Sequence, residues 1–319
     1  MSLAEVVANK KILFICPVFH HYHLSIQQCL RQNGAVVYFI PAFRESWLSR
    51  VSGRDKKKQA SEYYADRFSK IKHVTLDLLF QIKGEDIEYD ILQDQMSRCR
   101  ASVMYQWDSL NNCKYLHLTS LFDKVYTFDR TDASVYPGLK YLQLFYEENN
   151  IAAKQKQYDL LSVAGYSHWR HDLTNRIFQL AKKNNLSVYV HLYTPFKTLV
   201  RLWFSRRRVN FKLIYTRRVG PKKYAQLLAA SSTVLDIPIS NQAGISIRTI
   251  ETIGAKKKLI TTNKNVHFEQ FFSPESILII DENIDEQDLV GFIKKEIHIA
   301  TNIEALKLDN WLKQIILST

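Results

Sequence analysis

The stretch from Ser232 to Asn263 combines residue types that suit a phosphate and a sugar. Its polar or small residues near the start of a predicted helix are Gln242, Gly244, Arg248 and Glu251. A helix N-terminus and an arginine can hold a diphosphate, and a carboxylate one turn deeper suits ribose hydroxyls. We expect this helix to begin near Ala243 or Gly244. Because Arg248 and Glu251 share one helix face, a structural ion pair is the alternative.

Two further loops follow predicted strands and present groups that suit phosphate. "VAGYSHWRH" carries the candidates Gly165, Ser167, His168 and Arg170 between a strand and a helix. Such turns offer backbone N–H groups to anions. "IYTRRVGPKKY" places Arg217 and Arg218 after a strand, and arginine forks match diphosphate oxygens. A plain strand-to-helix turn and a solvated basic turn are the respective alternatives.

Candidates for a general base lie in the first half of the chain. The loop "CPVFHHYH" brings His20, His21 and His23 to the start of a helix, and "YQWDSLNN" places Asp108 directly after a strand. A carboxylate or imidazole in such a position can accept a proton from a hydroxyl group. Asp129 has the same placement with less context. A helix N-cap is the alternative for either aspartate, and the alternative for the histidines is that they are surface polar residues at the entry of a helix.

The segment "FKTLVRLWFSRRRVNFK" mixes aromatic and basic residues over positions 196–212. Its cationic residues are Lys197, Arg201, Arg206, Arg207, Arg208 and Lys212. Such a segment suits an anionic membrane surface. The alternative is an exposed basic helix that packs its Leu and Trp side chains inward.

The elements that position these loops alternate along the whole chain. Short apolar strands and amphipathic helical patterns follow one another, which is typical of parallel α/β sheets. The pattern includes helices near Ile87–Arg98 and after Asn112. The polar segment Tyr146–Gln157 predicts a linker between a domain at 1–150 and a second at 151–319, whose last helix can pack back on the first domain. Two doubly wound domains predict a cleft, with ligands beyond the carboxyl ends of the strands.

Composition narrows the class of protein and its partners. The chain has 319 residues, and its 44 Lys and Arg against 31 Asp and Glu give a net charge of +13. This surplus predicts an anionic partner. The four cysteines form no CxxC pair, so we expect no zinc site and a reducing, cytosolic location. No signal peptide or membrane-spanning run is visible, so we expect a soluble or peripheral protein.

Several segments, taken in order, resemble the bacterial glycosyltransferases of lipopolysaccharide and capsular polysaccharide synthesis that have the two-domain GT-B fold. They are "IKGEDI", "VMYQWDS", "LFDKVYTFDRTDA", "LQLFY" and "SSTVLDIPISNQAGISIRTIETIGAKKKLITTN". The resemblance implies two Rossmann-like domains, with the acceptor on the first and a nucleotide-diphosphate sugar on the second. It also implies no cofactor and no catalytic metal, and no DxD motif is present. Glu251 looks like the ribose ligand, Arg248 like a diphosphate ligand and Gln242 like a sugar or phosphate contact.

One departure from the family pattern concerns the mechanism. Many retaining members have two glutamates separated by seven residues, whereas Gln242 occupies the place of the first and its spacing to Glu251 is longer by one. The resemblance therefore leaves retention and inversion both open. It predicts transfer of a hexose to a lipid-linked or oligosaccharide acceptor by a cytoplasmic protein, peripheral at the inner face of the plasma membrane.

Two other functions compete with this prediction. A nucleotide-sugar epimerase or hydrolase has a similar architecture, and a basic α/β protein can bind nucleic acid without catalysis. The sequence shows no aromatic RNA-binding motif, so we expect no nucleic-acid partner.

Overall fold

The chain folds into two compact α/β units in a computed structural model. The structure describes residues 1–18, 21–45, 55–83, 87–148, 155–239, 243–297, 299 and 303–317. The first unit comprises Met1–Leu144 with Leu308–Thr319, and the second comprises Phe145–Lys307. Each unit has its own hydrophobic core.

The described elements of the first unit alternate as the sequence predicts. In chain order they are α1 (Leu3–Val7), β1 (Lys11–Cys16), α2 (Tyr22–Gln32), β2 (Val36–Pro41), α3 (Lys56–Ser69), β3 (Leu78–Ile82), α4 (Tyr89–Met96), β4 (Ser102–Gln106), β5 (Lys124–Thr127), α5 (Arg130–Val135), β6 (Leu139–Tyr141) and α11 (Leu308–Leu317). A 3₁₀ helix also covers Leu116–Leu121. It stands where the sequence predicts a helix after Asn112.

The described strands of this unit form one parallel sheet in the order β2-β1-β3-β4-β5-β6. Strands β3 and β4 are buried at every residue and are mainly apolar, because helices cover both faces of a parallel sheet. Chain order reverses direction between β1 and β3. The loops after these two strands therefore flank the switch point, where open α/β sheets bind ligands.

Helix α11 belongs to the first unit through a buried tryptophan. The Trp311 indole N–H donates to the Gln143 carbonyl at 2.8 Å, and the ring packs edge-on against Tyr105 at 4.8 Å between centroids. Leu308, Leu312 and Ile315 extend the same apolar face at helical spacing. The C-terminal segment is thus part of the core of the unit in which the chain begins.

The second unit repeats the alternating pattern. Its described elements are β7 (Tyr158–Gly165), α6 (His168–Lys183), β8 (Val188–Tyr193), α7 (Phe196–Trp203), β9 (Ile214–Tyr215), α8 (Pro221–Ala229), β10 (Ser231–Asp236), α9 (Ile247–Gly254), β11 (Lys258–Thr261), β12 (Ile277–Ile279) and α10 (Glu286–Lys294). Short 3₁₀ helices cover Phe211–Leu213, Lys264–Phe268 and Glu304–Leu306. Tyr146, at the start of the predicted linker, is buried and bridges to Lys307 as an isolated β-pair.

The strands of the second unit are also all parallel, in the order β12-β11-β10-β7-β8-β9. Renumbered within the unit, this is the Rossmann order 3-2-1-4-5-6. Leu160 and Leu235 pack in one cluster with α6 and α10, whereas Leu161 and Val234 pack in another with α8. Because alternate residues of a strand face opposite ways, the sheet is covered on both faces. Its switch point lies between β7 and β10.

No helix within the described ranges is both long enough and apolar enough to cross a bilayer. The two parallel sheets confirm the α/β class and the pair of Rossmann-like domains predicted from the sequence.

Lys258 at the start of β11 closes the end of α10. Its ammonium donates to the carbonyls of Phe292 at 2.6 Å, Ile293 at 2.8 Å and Lys295 at 2.6 Å. The last carbonyls of a helix have no partner within the helix, so this buried side chain satisfies them. The contact joins α10 to the sheet of the second unit.

We expect Lys258→Met to lower the free energy of unfolding by about 2–4 kcal/mol, because the carbonyls lose a charged donor without gaining water. Urea unfolding followed by circular dichroism measures this loss. The control is Lys257→Met, since among the described residues the Lys257 ammonium donates to a single carbonyl, that of Ala229, at 3.1 Å. Equal losses in the two variants would contradict a special role for the Lys258 contacts.

Candidate functional site

The switch point of the second unit brings several predicted residues to one edge of the sheet. Gly165 ends β7, and Asp236 ends the neighbouring strand β10. The chain then continues into α6 from β7 and toward α9 from β10. This is where a doubly wound sheet forms its ligand crevice.

Arg170 in the first turn of α6 connects these two strand ends. Its Nε donates to the Ile237 carbonyl at 2.7 Å, and its Nη1 donates to the Gly165 carbonyl. The side chain is buried, and burial lowers the pKa of the guanidinium, whereas nearby Asp236 raises it. The sequence predicts Arg170 as a charge for the donor. The structure shows its guanidinium held by two backbone carbonyls.

Asp236 fixes the start of α9. Its Oδ2 accepts a hydrogen bond from the Ser246 hydroxyl and another from Thr249 Oγ1 at 2.8 Å. Ser246 is also the N-cap of α9, because its Oγ accepts from the Thr249 N–H at 3.1 Å. The prediction that this helix begins near Ala243 or Gly244 is therefore wrong: it begins at Ile247. A capping serine competes better for this position than alanine or glycine.

The loop before α9 is held by two asparagines that follow β11. Asn263 Nδ2 donates to the Gly244 carbonyl at 3.1 Å, and Asn265 Nδ2 donates to the Ala243 carbonyl at 2.9 Å. Gly244 thus lies in an anchored loop before the helix rather than in its first turn. Gln242, the predicted sugar or phosphate contact, lies outside the described residues.

Arg248 and Glu251 form an ion pair on α9, the alternative that the sequence leaves open. Arg248 Nη1 lies 2.9 Å from Glu251 Oε2, and the guanidinium stacks over the Tyr224 ring of α8 at 3.5 Å from its centroid. Their side chains are 24% and 13% exposed, so solvent reaches both. Burial raises the pKa of Tyr224, which keeps the phenol neutral beneath the arginine. The stack fixes the orientation of the pair relative to α8.

The other predicted residues of the β7 loop lie at the start of α6. Ser167 is the N-cap, and its Oγ accepts from the Arg170 N–H at 3.3 Å. The exposed His168 ring contacts the Tyr166 hydroxyl through Nδ1 at 2.9 Å. Both residues therefore stand beside Gly165 at the carboxyl end of β7.

Arg217 and Arg218 follow β9 and have exposed side chains. The Arg218 guanidinium lies 4.7 Å from the centroid of Tyr193, whose partner across the sheet is Gly165. The Arg217 carbonyl accepts a hydrogen bond at 2.8 Å from Nε2 of His191, a residue that sequence analysis does not single out. These groups extend the polar edge from β7 across β8 to β9.

His191 is buried and stacks on Tyr215 at 4.1 Å between ring centroids. Burial lowers the pKa of the imidazole, so the neutral ring donates through Nε2. The alternation of Tyr189, His191 and Tyr193 on one strand face is the signal that sequence analysis could have used. The ring positions the loop that carries the two arginines.

In the first unit, Asp108 lies just beyond β4 and pairs with Lys83, which follows the adjacent strand β3. Both stand at carboxyl ends of strands: Lys83 flanks the switch point of that sheet, and Asp108 stands one strand further from it. His21 is the N-cap position of α2, and His23 is buried with its ring stacked on Phe39 at 5.8 Å. His20 lies outside the described residues.

Asp129, the second aspartate at a strand end, has the capping role given as its alternative. Its Oδ1 accepts from the N–H groups of Thr131 at 2.9 Å and Asp132 at 3.3 Å at the start of α5. Within the described ranges, no three His, Cys, Asp or Glu side chains come together as a metal site would require.

Comparison with solved structures identifies the fold. AviGT4, a glycosyltransferase involved in Avilamycin A biosynthesis, matches with a TM-score of 0.59 and 10% identity over 97% of this chain and 99% of its own. The apo form of the lipopolysaccharide outer core galactosyltransferase WaaB matches at 0.55 and 12% identity over 97% and 100%. UDP-GlcNAc 2-epimerase from Methanocaldococcus jannaschii matches at 0.57 and 10% identity over 97% and 100%.

The chain therefore has the GT-B fold, as its sequence predicts. At these identities the likeness concerns the fold and not the reaction. Comparisons with protein-family models and with curated proteins found no match.

The residues at the edge of the second unit can recognise an anion and a hydroxyl-bearing group together. Arg217 and Arg218 supply exposed positive charge, and Glu251 supplies a carboxylate beside Arg248. Arg170 and Asp236 order the loops between them through buried hydrogen bonds. Such a division between contacting and positioning groups is what a preorganised site requires.

We expect Arg170→Met to lower the free energy of unfolding by about 2–4 kcal/mol, because two carbonyls at the switch point lose their donor. Denaturant unfolding provides the measurement. Arg176→Met on the same helix is the matched control: Arg176 also donates to carbonyls, those of Glu282 and Ile284, but near solvent. If Arg170→Met loses no more unfolding free energy than Arg176→Met, the contacts at the switch point contribute little to stability.

Proposed function

We propose that this protein is a glycosyltransferase that moves a hexose from a nucleotide-diphosphate sugar to a lipopolysaccharide or capsular acceptor. The observation that carries the proposal is the part-exposed Arg248–Glu251 pair, ordered beside the switch point of a Rossmann-like unit. The GT-B fold shared with two glycosyltransferases supports it. The proposed reaction needs no bound metal, so transfer is expected to persist in EDTA.

The donor site of this proposal lies on the second unit. Arg248, Arg217 and Arg218 would bind the diphosphate, whose charge grows as the sugar bond breaks. Glu251 would accept hydrogen bonds from ribose hydroxyls, and Gln242 would contact the sugar or a phosphate. Because the Arg170 guanidinium already donates to two backbone carbonyls, we assign it the role of positioning the loops. We do not assign it a phosphate contact.

Gly165, Ser167, His168 and Gly244 remain proposed donor contacts in this scheme. They stand in or directly beside the loops that Arg170 and the two asparagines hold in place. Their backbone groups would approach the phosphates from the two sides of the switch point.

The acceptor would bind the first unit, where we assign Asp108 as the general base. An inverting transfer takes the proton of the acceptor hydroxyl to the carboxylate, forms the new bond at the anomeric carbon and releases the nucleoside diphosphate. Lys83 would orient the Asp108 carboxylate through their ion pair. Burial of His23 favours Asp108 over this histidine, while His20 remains a candidate. A lipid-linked acceptor places the protein at the cytoplasmic face of the plasma membrane.

A second candidate is nucleotide-sugar epimerisation, because an epimerase of UDP-GlcNAc has the same fold. The two reactions differ in their products. Incubation with nucleotide sugars and extracted glycolipid, followed by mass spectrometry, distinguishes them. Glycolipid that gains one hexose together with free nucleoside diphosphate supports the proposal, and a donor isomerised without any acceptor would replace it by the second candidate.

We expect Glu251→Gln to bind a nucleotide and the analogue that lacks its 2′ and 3′ ribose hydroxyls with similar affinities. Screening UDP, GDP, CMP and dTDP by calorimetry first identifies the nucleotide. The wild type should then bind it about tenfold or more tightly than its 2′,3′-dideoxy analogue, since hydrogen bonds to a charged group contribute about 1.5–3 kcal/mol. In Glu251→Gln the ratio of the two affinities should fall toward one.

The ratio separates ribose binding from damage to the ion pair. If Glu251 only orders Arg248, both affinities fall together and the ratio stays at the wild-type value, which would contradict the ribose contact. Glu275→Gln is the control, because Glu275 is an exposed carboxylate of the same unit. It should leave both affinities unchanged.

For Asp108→Asn we expect transfer to fall by about 100-fold or more while nucleotide affinity stays within about twofold, because only the base is lost. The rate is measured with saturating donor and acceptor. Asp90→Asn is the control, since Asp90 is an exposed carboxylate of the same unit. Transfer that survives in Asp108→Asn at the level of the control would exclude this base.

A further inference from the structure

Helix α7 exposes the side chains that a surface helix normally buries. Leu202 points inward and is buried, but its neighbour Trp203 is 75% exposed. Phe196 precedes Trp203 by seven residues and therefore lies on the same side of the helix, where it is 69% exposed. Phe204, which follows Trp203, is 85% exposed. The sequence-based alternative, a helix that packs its Trp inward, is therefore wrong for Trp203.

Basic residues surround these aromatic rings. Lys197 and Arg201, one helical turn apart, are exposed on α7, and the exposed Arg206, Arg207 and Arg208 follow Phe204 after a single serine. We call Phe196, Lys197, Arg201, Trp203, Phe204 and Arg206–Arg208 the α7 surface. Clustered exposed apolar groups rimmed by charge mark an interaction site.

The net positive charge of the chain is concentrated in the sequence segment that contains the α7 surface. Between Asp172 and Asp236 the sequence contains thirteen Lys and Arg residues and no Asp or Glu. The net charge of the whole protein is +13. A segment with no acidic residue of its own presents a positive field that an anionic partner can neutralise.

The chemistry of the α7 surface matches that of an anionic bilayer. Trp and Phe side chains partition into the interface between headgroups and acyl chains, and Arg and Lys gain from anionic headgroups next to it. Phe196 and Trp203 lie on one side of a helix, with Lys197 and Arg201 adjacent, so one approach brings both kinds of group to a membrane. Single-stranded nucleic acid also combines basic residues with exposed aromatic rings, so it is the competing partner, and the oligonucleotide measurement below distinguishes the two.

We propose that the α7 surface docks the protein on anionic phospholipid membranes. Docking of this kind is peripheral, with the rings inserted at headgroup depth and the arginines among the phosphates. It is independent of the proposed sugar transfer and is measurable without donor or acceptor.

The test is co-sedimentation of the full chain with vesicles in about 0.15 M NaCl, where weak surface electrostatics are screened. Vesicles of phosphatidylcholine mixed with phosphatidylglycerol should bind the protein, and vesicles of phosphatidylcholine alone should bind it far more weakly. Equal binding to both, or binding to neither, would overturn the proposal.

Two variants separate the contributions of charge and rings. Arg206→Gln/Arg207→Gln/Arg208→Gln should weaken vesicle binding by about a hundredfold, and Trp203→Ser/Phe204→Ser by about tenfold. The matched control is Lys56→Gln/Lys57→Gln/Lys58→Gln, which removes the same charge from an exposed lysine run on α3 of the first unit. If the control binds vesicles as weakly as the arginine variant, net charge alone explains the loss of binding, and the assignment of the α7 surface is overturned.

Fluorescence quenching locates the contact. Lipids brominated near the headgroup should quench part of the tryptophan emission of the bound wild type, and Trp203→Phe should bind but lose that part. Because the changed side chains are exposed, thermal melts should stay at the wild-type value. Membrane docking would be refuted if quenching in Trp203→Phe were undiminished. It would also be refuted if the same residues bound a mixed-sequence oligonucleotide more tightly than anionic vesicles.

Discussion

The buried guanidinium of Arg170 connects two loops of the second unit, which leave the neighbouring strands β7 and β10 for opposite faces of the sheet. At the switch point the chain leaves β7 for α6 on one face of the sheet. After β10 it continues toward α9, whose Arg248 stacks on Tyr224 of α8 on the other face. Arg170 spans this opening and satisfies the carbonyls of Gly165 and Ile237. A buried charge is costly unless it is hydrogen-bonded, and here the two carbonyls and the nearby Asp236 offset that cost. Loop positions on both sides therefore depend on one side chain.

The sequence predicts the strands well because their apolar runs report burial on both faces of a parallel sheet. It also predicts which loops lie at the carboxyl edge, since that follows from strand direction alone. It does not predict that backbone carbonyls accept hydrogen bonds from the Arg170 guanidinium, because its partner Ile237 lies 67 residues away in the chain. The start of α9 was predictable, because Ser246 precedes Thr249 by the spacing of an N-cap and its N3 residue.

The direction of the α7 side chains depends on the placement of the helix and not on its composition. Leu202 and Trp203 are adjacent, so a rotation of about 100° around the helix separates a buried position from an exposed one. Both side chains are apolar, and a pattern of apolar and basic residues is compatible with either orientation. Only the packing of Leu202 beneath the helix fixes the exposed side as the one with Phe196 and Trp203. Tertiary contacts therefore decide whether this segment is core or surface.

The absence of acidic residues between Asp172 and Asp236 links the two anion-binding surfaces proposed for the second unit. Arg217 and Arg218 at the end of β9 belong to the same segment as the arginines after α7. A region without carboxylates cannot neutralise its own charge, so its side chains repel one another and raise the free energy of the compact unit. Selection for stability alone would place acids among them. A segment that retains thirteen cations instead is better explained by external anions, with phosphate groups at the donor site and lipid headgroups at the α7 surface.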